Sequence, residues 1–338
     1  MTDKYSDGKL PVIDISDLNR EQEIAKEIST ACKENGFFYI KGHGIDQSLL
    51  DSLENKSRDF FSHPEAEKMQ WRMELAKQAW RGYFPLCGEL TSNLPDWKEG
   101  LYLGTELDDS HPLVQKKTPL HGRNLFPDFD KEFKSTILNY IESTTKLGHR
   151  LMELIALSLQ LPRDYFQSKL TLGDPLILFR LFNYPSQPEP QTKDGKPLWG
   201  VGEHTDYGLL TILYQDTIGG LEVKSRGGWI NAPPVPNTFV INIGDMLDRM
   251  TGGLYRSTPH RVRLNTSGTD RLSFPLFYDP NFFVSVKPIE NLEPVENQDD
   301  SATRWDNFNL HKPFEGTYGD YLLNKIGKVF PQLKDDVL

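Results

Sequence analysis

Cysteine is scarce: the 338 residues contain only Cys32 and Cys87, one on an expected helix face and one in a loop. No disulfide framework follows, and a reducing compartment is implied. Long apolar runs are also missing. None approaches the length of a membrane-crossing helix. The start, Met1 to Asp7, is polar and has no signal-peptide core, so the expected location is cytoplasmic. Positive charge is in deficit. Lys and Arg number 38 against 48 Asp and Glu, a formal charge of −10, which argues against nucleic acid or an anionic membrane as a partner. A small anionic ligand stays open, because a local arginine cluster can outweigh the global field. No Lys-Ser/Thr follows the glycines of Thr251-Gly252-Gly253, so a phosphate-cradling loop is not expected. Internal repeats, low-complexity tracts and a Ser/His/Asp arrangement are absent as well.

What is present reads as a globular enzyme, with 37% hydrophobic and 25% charged residues. Strands are predicted at Val12 to Ile15 and Phe37 to Ile40, with a helix between them carrying Ile24, Ala25, Ile28, Ala31 and Cys32. Gly36 is the expected helix-ending residue. A second helix carries Leu49, Leu53, Phe60 and Phe61. The longest helical pattern, Asp130 to Leu161, has an apolar stripe suited to packing on a sheet. Beyond Pro162 the texture changes to short strands at regular spacing: Ile177 to Tyr184, Leu209 to Tyr214, Gly220 to Lys224, Trp229 to Ala232, Thr238 to Ile243, Pro259 to Leu264 and Arg271 to Tyr278. Such a series predicts a sandwich or barrel. The expected organisation is an N-terminal helix-and-strand region over 1–165, a β core over 166–290, and a C-terminal loop and helix over 291–338. All three are expected to form one structural unit, acting as a monomer. His43, His111, His121 and His149 have no partner spacing and are read as structural.

Chemistry concentrates in Gly202-Glu203-His204-Thr205-Asp206-Tyr207-Gly208. On an extended strand, residues two apart share a face, so His204 and Asp206 project together. His260 is the natural third donor. Two imidazoles and one carboxylate on one side of a metal leave three positions open, as in non-haem Fe(II) oxygenases. Arg271 and Ser273 also share a face, opposite Leu272, Phe274, Leu276 and Tyr278. The turn-like run Asn265 to Asp270 predicts an antiparallel hairpin from His260 back along Arg271 to Tyr278. Ser273 would then lie roughly 6–7 Å from the His260 rung, about the length of a five-carbon dicarboxylate. A metal at one end and a guanidinium with a hydroxyl at the other would grip 2-oxoglutarate at both ends.

His204-Thr205-Asp206, His260 and Arg271-Leu272-Ser273 resemble the His-x-Asp, His and Arg-x-Ser pattern of 2-oxoglutarate/Fe(II)-dependent dioxygenases of the isopenicillin N synthase-like type. Leu10 to Ile15, Asn35 to Ile40 and Asn183-Tyr184-Pro185 are similar to further segments of that family, so the likeness runs over nearly the whole chain. The resemblance implies a mainly β fold with flanking helices around a double-stranded β-helix, or jelly roll. It implies Fe(II), with 2-oxoglutarate and O2 as co-substrates and ascorbate in support. It also implies decarboxylation of 2-oxoglutarate to succinate and CO2, coupled to hydroxylation, desaturation or ring closure of a substrate. Tyr184 and Asn183 would lie near the co-substrate, with Arg180 a lesser candidate.

Substrate identity is the least determined part. Arg81, Lys98 and Arg256 are candidates for recognising a small acid, and Tyr207, Phe282, Phe283 and Leu221 for walling the pocket. The expected substrate is carboxylate-bearing and derived from an amino acid, such as a prenylated glutamate closed to a kainoid-type ring. The alternatives are an Fe(II) oxidase of the same family that does not consume 2-oxoglutarate, a non-enzymatic jelly-roll binding module, and a zinc hydrolase. The hydrolase would need a base, and Glu203 would point to the opposite strand face.

Overall fold

A computed structural model describes residues 9–329 apart from 92–93, 190–191, 194, 226, 291, 293–294, 296–308 and 313. The polar start at Met1 to Asp7 and much of the C-terminal loop and helix region expected over 291–338 lie outside the described residues. The first strands are β1 (Val12–Asp14) and β2 (Phe37–Lys41), which run parallel on either side of helix α1 (Glu21–Glu34). Gly36 closes α1 at a φ of 65°, and its N–H donates to Ala31 O at 3.0 Å. A Cβ there would meet Arg256 O at 2.1 Å, so only glycine fits. Helices α2 (Gln47–Ser62) and α3 (Glu65–Lys68) follow. Then come β3 (Gly82–Phe84), the small hairpin β4 (Leu90–Thr91) and β5 (Leu94–Pro95), β6 (Glu99–Gly104), α4 (Pro112–Gln115) and the long α5 (Phe133–Ser158).

The second half carries β7 (Leu176–Tyr184), the short pair β8 (Thr192–Lys193) and β9 (Lys196–Pro197), β10 (Val201–His204), β11 (Leu210–Gln215), β12 (Leu221–Ser225) and β13 (Gly228–Asn231). It continues with β14 (Phe239–Ile243), α6 (Asp245–Met250), β15 (His260–Val262), β16 (Arg271–Asp279) and α7 (Tyr318–Val329). Eight strands form one sheet in the order β1-β2-β14-β11-β16-β7-β6-β3. Four form a smaller sheet, β10-β15-β12-β13. The early strands thus complete both edges of a sheet whose centre comes from the second half. Among the described residues, no helix is long and apolar enough to cross a membrane.

The large sheet is covered on both faces, which is why all nine residues of β7 are buried. On β16, Leu272, Phe274, Leu276 and Tyr278 face the helices, while Arg271, Ser273, Pro275, Phe277 and Asp279 face a cavity against the small sheet. Tyr278 packs on Gly148 of α5, where a Cβ would meet the ring at 2.4 Å, and its hydroxyl lies 2.7 Å from His149 Nδ1. That ring is buried and cannot retreat. Gly148→Ala is therefore expected to destabilise the fold by roughly 1–3 kcal/mol, the usual cost of overpacking, read from a denaturant midpoint.

One expectation fails. β15 and β16 do not form a hairpin. β15 pairs with β10 and β12 in the small sheet, whereas β16 lies between β11 and β7 in the large one. Residues 263–270 cross from one sheet to the other, held by Asn265 Nδ2 donating to Tyr184 O at 2.9 Å and Thr269 O at 2.8 Å. Both strands carry inward-facing functional residues, so they oppose each other across the cavity rather than edge to edge. A polar, turn-rich link serves a change of sheet as well as it serves a hairpin, and the pattern alone does not separate the two.

Candidate active site

His204 is the last residue of β10 and His260 the first of β15, and the two are register partners. Their ring centroids lie 4.2 Å apart. Asp206 is not on the strand, as face-sharing with His204 would require. The strand ends at His204, and Asp206 sits in the link to β11. The link nonetheless brings its carboxylate to the imidazoles. Asp206 Oδ1 lies 3.8 Å from His204 Nε2 and 3.7 Å from His260 Nε2. One donor atom from each of the three lies within 4.8 Å of the others, the spacing of a shared ion.

Each donor is aimed by a second contact. His204 Nδ1 donates to Gly202 O at 2.9 Å, and His260 Nδ1 donates to Thr258 O at 3.1 Å. A carbonyl can only accept, so each Nδ1 carries a proton and each Nε2 is the ring atom turned toward the Asp206 carboxylate. Asp206 Oδ2 accepts from Thr211 Oγ1 and from Asn242 Nδ2, the latter at 2.7 Å, which leaves Oδ1 to face the imidazoles. Phe37 presses edge-on against the His260 ring at 5.1 Å. Burial, with the His204 ring beside it, pushes His260 down to about 4, so it stands neutral at ordinary pH. Burial works to raise the Asp206 carboxyl. The two imidazoles and its two hydrogen bonds outweigh that and hold it below the usual carboxylate range. Two imidazoles and one carboxylate on one side are a donor set that suits a divalent first-row metal.

Thr211 and Asn242 are functional residues that the sequence reading misses. Asn242 carries a signal: it is the one polar residue in the buried run Phe239-Val240-Ile241-Asn242-Ile243. Thr211 is hidden, since threonine is at home in any strand.

The same cavity, about 180 Å³, holds Arg271 and Ser273. Arg271 is 1% exposed. Its Nη2 donates to Gln215 Oε1 at 3.1 Å, and its guanidinium lies 4.8 Å over the Tyr184 ring. Nε and Nη1 have no partner among the described residues, and no carboxylate there pairs with it. A buried cation left this way is costly unless an anion completes it.

Alternation on β7 sorts the neighbouring candidates. Leu178, Arg180, Phe182 and Tyr184 line the cavity. Asn183 turns away and donates to Glu99 Oε1 at 2.9 Å and Asp270 Oδ2 at 3.2 Å, so it does not reach the co-substrate space. Tyr207 and Leu221 line the cavity as well. Lys98 lines it too, but its ammonium is bound by Asp96 at 2.6 Å and Glu89 at 2.9 Å and has no charge to spare.

Four candidates, Arg81, Phe282, Phe283 and Arg256, lie elsewhere. Arg81 is buried in a separate, smaller cavity with Phe282 and Phe283, and its Nη2 donates to Leu120 O at 3.0 Å. Burial there pushes its guanidinium down to about 9. Phe283 is 53% exposed and walls that second cavity only. Arg256 does not line the main cavity; its backbone N–H donates to Cys32 O of α1 at 3.2 Å. An arginine near an aromatic pair is a weak signal, since sequence does not say to which side of a sheet edge it turns. Glu203 is paired with Lys224 at 2.6 Å and offers no base to the site.

Comparison with known proteins agrees with this geometry. Residues 10–129 match the family model described as non-haem dioxygenase in morphine synthesis N-terminal, and residues 174–280 match the 2OG-Fe(II) oxygenase superfamily. A probable iron/ascorbate oxidoreductase of Dictyostelium discoideum is 62% identical, over 98% of this chain and 97% of the relative. A 1-aminocyclopropane-1-carboxylate oxidase of Dictyostelium mucoroides is 44% identical, over 96% and 95%. Among solved structures, a full-length Neurospora crassa protein in complex with alpha-KG and thymine superposes with a TM-score of 0.76 at 28% identity, covering 96% of this chain and 98% of its own. A jelly-roll core is thus common to both chains.

Proposed function

Since the chain belongs to the 2-oxoglutarate/Fe(II) oxygenase superfamily and is a dioxygenase using Fe(II), O2 and 2-oxoglutarate, we propose that His204, Asp206 and His260 hold its iron. Arg271 and Ser273 take the far carboxylate of 2-oxoglutarate, with Tyr184 beneath the guanidinium. The observation that carries this reading is the pair of unpartnered Arg271 donors in the same cavity as the three converging donors. Bound iron, with O2 and 2-oxoglutarate, supplies oxidation of a substrate C–H bond as 2-oxoglutarate is converted to succinate and CO2. The chain itself presents one oxygen of Asp206, fixes both imidazoles by carbonyl hydrogen bonds, and encloses the reacting atoms in apolar walls that exclude water.

The prime substrate is a small, carboxylate-bearing, amino-acid-derived metabolite. The name of the 44% identical relative supports this, since 1-aminocyclopropane-1-carboxylate is itself an amino acid. Oxidative closure of a prenylated glutamate to a kainoid-type ring is the finer version of the same reading. A metabolite screen with Fe(II), ascorbate and 2-oxoglutarate, reading succinate, tests it. Succinate formed in step with an oxidised acid is the expected result. Product without succinate would move the protein to the 2-oxoglutarate-independent oxidases, and no turnover with any amino-acid-derived acid would remove the substrate class.

The support beneath Asp206 gives a further expectation. Asn242→Leu removes one of the two hydrogen bonds to Oδ2, leaves Thr211 as its one support, and loosens the carboxylate. Metal affinity should fall roughly 10- to 100-fold, as for other outer contacts of metal ligands, read by Mn(II) titration of the protein without substrate.

A further inference from the structure

The cavity contains a second guanidinium that the co-substrate does not use. Arg180 lies on β7, four residues before Tyr184, on the same cavity-facing side and 7% exposed. Its Nη1 donates to two main-chain carbonyls, Phe179 O at 3.0 Å and Leu103 O at 3.3 Å. Its guanidinium lies over the Tyr102 ring at 3.5 Å. No carboxylate among the described residues forms an ion pair with it. Two acids act on it from a distance without pairing. Glu89 pairs with Lys98 at 2.9 Å and accepts from Tyr102 Oη at 2.7 Å, and Asp279 Oδ2 accepts from Tyr318 Oη at 2.6 Å, while Asp279 Oδ1 has no hydrogen-bond partner among the described residues and forms no ion pair with Arg180. Carbonyls and an aromatic face soften the burial of a cation without neutralising it.

We propose that Arg180 is the anchor for a carboxylate of the prime substrate and determines the enzyme's preference for acids. Two guanidiniums without a carboxylate partner open on one cavity, and 2-oxoglutarate has only one free carboxylate after its keto acid end is engaged. Arg271 takes that one. Arg180 stands apart from it in the sheet. The Asp206 supports, Thr211 and Asn242, are register partners on β11 and β14, whereas Arg180 is two strands from β11, beyond β16. Phe277 lies between, its ring 5.8 Å from the Arg180 guanidinium and its backbone in register with Thr211. A substrate lying over Phe277 would put its acid group at Arg180 and its reacting carbon toward the three donors. The Tyr102 ring and the two carbonyls hold the guanidinium in place, so little freedom is lost on binding.

This inference rests on the reading that Arg271 takes 2-oxoglutarate, and its test separates the two. The anaerobic protein, loaded with Mn(II) and saturating 2-oxoglutarate, is titrated calorimetrically with butanoate through octanoate and with the carboxamide of each. At least one acid should bind roughly 10- to 100-fold more tightly than its amide, the weight of one charge-assisted pair. Arg180→Met should erase that preference, and Arg180→Lys should keep part of it. A wild type that binds acids and amides alike, or an Arg180→Met protein that still prefers the acid, overturns the proposal. The wild-type comparison needs no variant to fold. Succinate formation by the wild type with Fe(II) and 2-oxoglutarate alone tests the earlier reading separately: if it occurs while no acid preference is found, only the Arg180 assignment falls.

Discussion

Replacing Arg271 with leucine is expected to raise the 2-oxoglutarate concentration for half-maximal succinate formation by roughly a hundredfold or more, because hydrogen bonds to a charged group contribute about 1.5–3 kcal/mol each and two are lost. The sign of the accompanying stability change separates a binding role from a structural one. In the ligand-free protein, Arg271 is a 1% exposed cation with Nε and Nη1 unpartnered. Leucine removes that buried charge, so the melting temperature without ligand should stay level or rise. Saturating 2-oxoglutarate should then stabilise the wild type and fail to stabilise the variant, since a ligand raises stability only in proportion to its occupancy. A variant that melted lower without ligand, yet bound 2-oxoglutarate normally, would sink the assignment of the clamp.

The second large effect is at His260. Alanine there removes one of three donors and leaves Asp206 Oδ1 facing only His204. Outer contacts of metal ligands are worth roughly 10- to 100-fold in affinity, so loss of a ligand itself should exceed that and take succinate formation to background. Metal content after anaerobic reconstitution is the direct measurement. The alanine protein should hold far less than one iron per chain, with its circular dichroism unchanged. The latter expectation has a local reason: His260 begins β15, and its strand pairing with Val223 and His204 runs through the backbone, which alanine keeps. Full iron occupancy in that variant would defeat the triad.

Much of this is legible in the chain, for identifiable reasons. Strand alternation sorts β16 correctly, because a strand buried on both faces still separates polar from apolar positions by parity. The three converging donors and the Arg-x-Ser pair are also legible, because their residue types have few other uses in one cavity. What stays hidden is partnership between distant segments. Lys98 looks like a spare cation until Glu89 and Asp96 appear beside it. Arg81 is separated from the main cavity by which way a sheet edge turns, and sequence spacing does not encode that. The change of sheet after β15 escapes for a related reason, since a Gly- and Asn-containing link has the same composition whether it reverses a strand or carries it over a gap.

The order of these residues along the chain has a consequence for biogenesis. His204 and Asp206 come from the middle of the polypeptide, whereas His260 reaches them only once β15 has zipped to β10 and β12. During synthesis, the emerging polypeptide therefore holds two donors for some fifty residues before the third arrives, and Arg271 later still. A nascent chain at that stage, with two donors in place of three, is expected to grip ferrous ion weakly. With these three donors holding the iron as proposed, loading would wait until the small sheet has closed, and the oxidising centre would be armed only inside a finished enclosure.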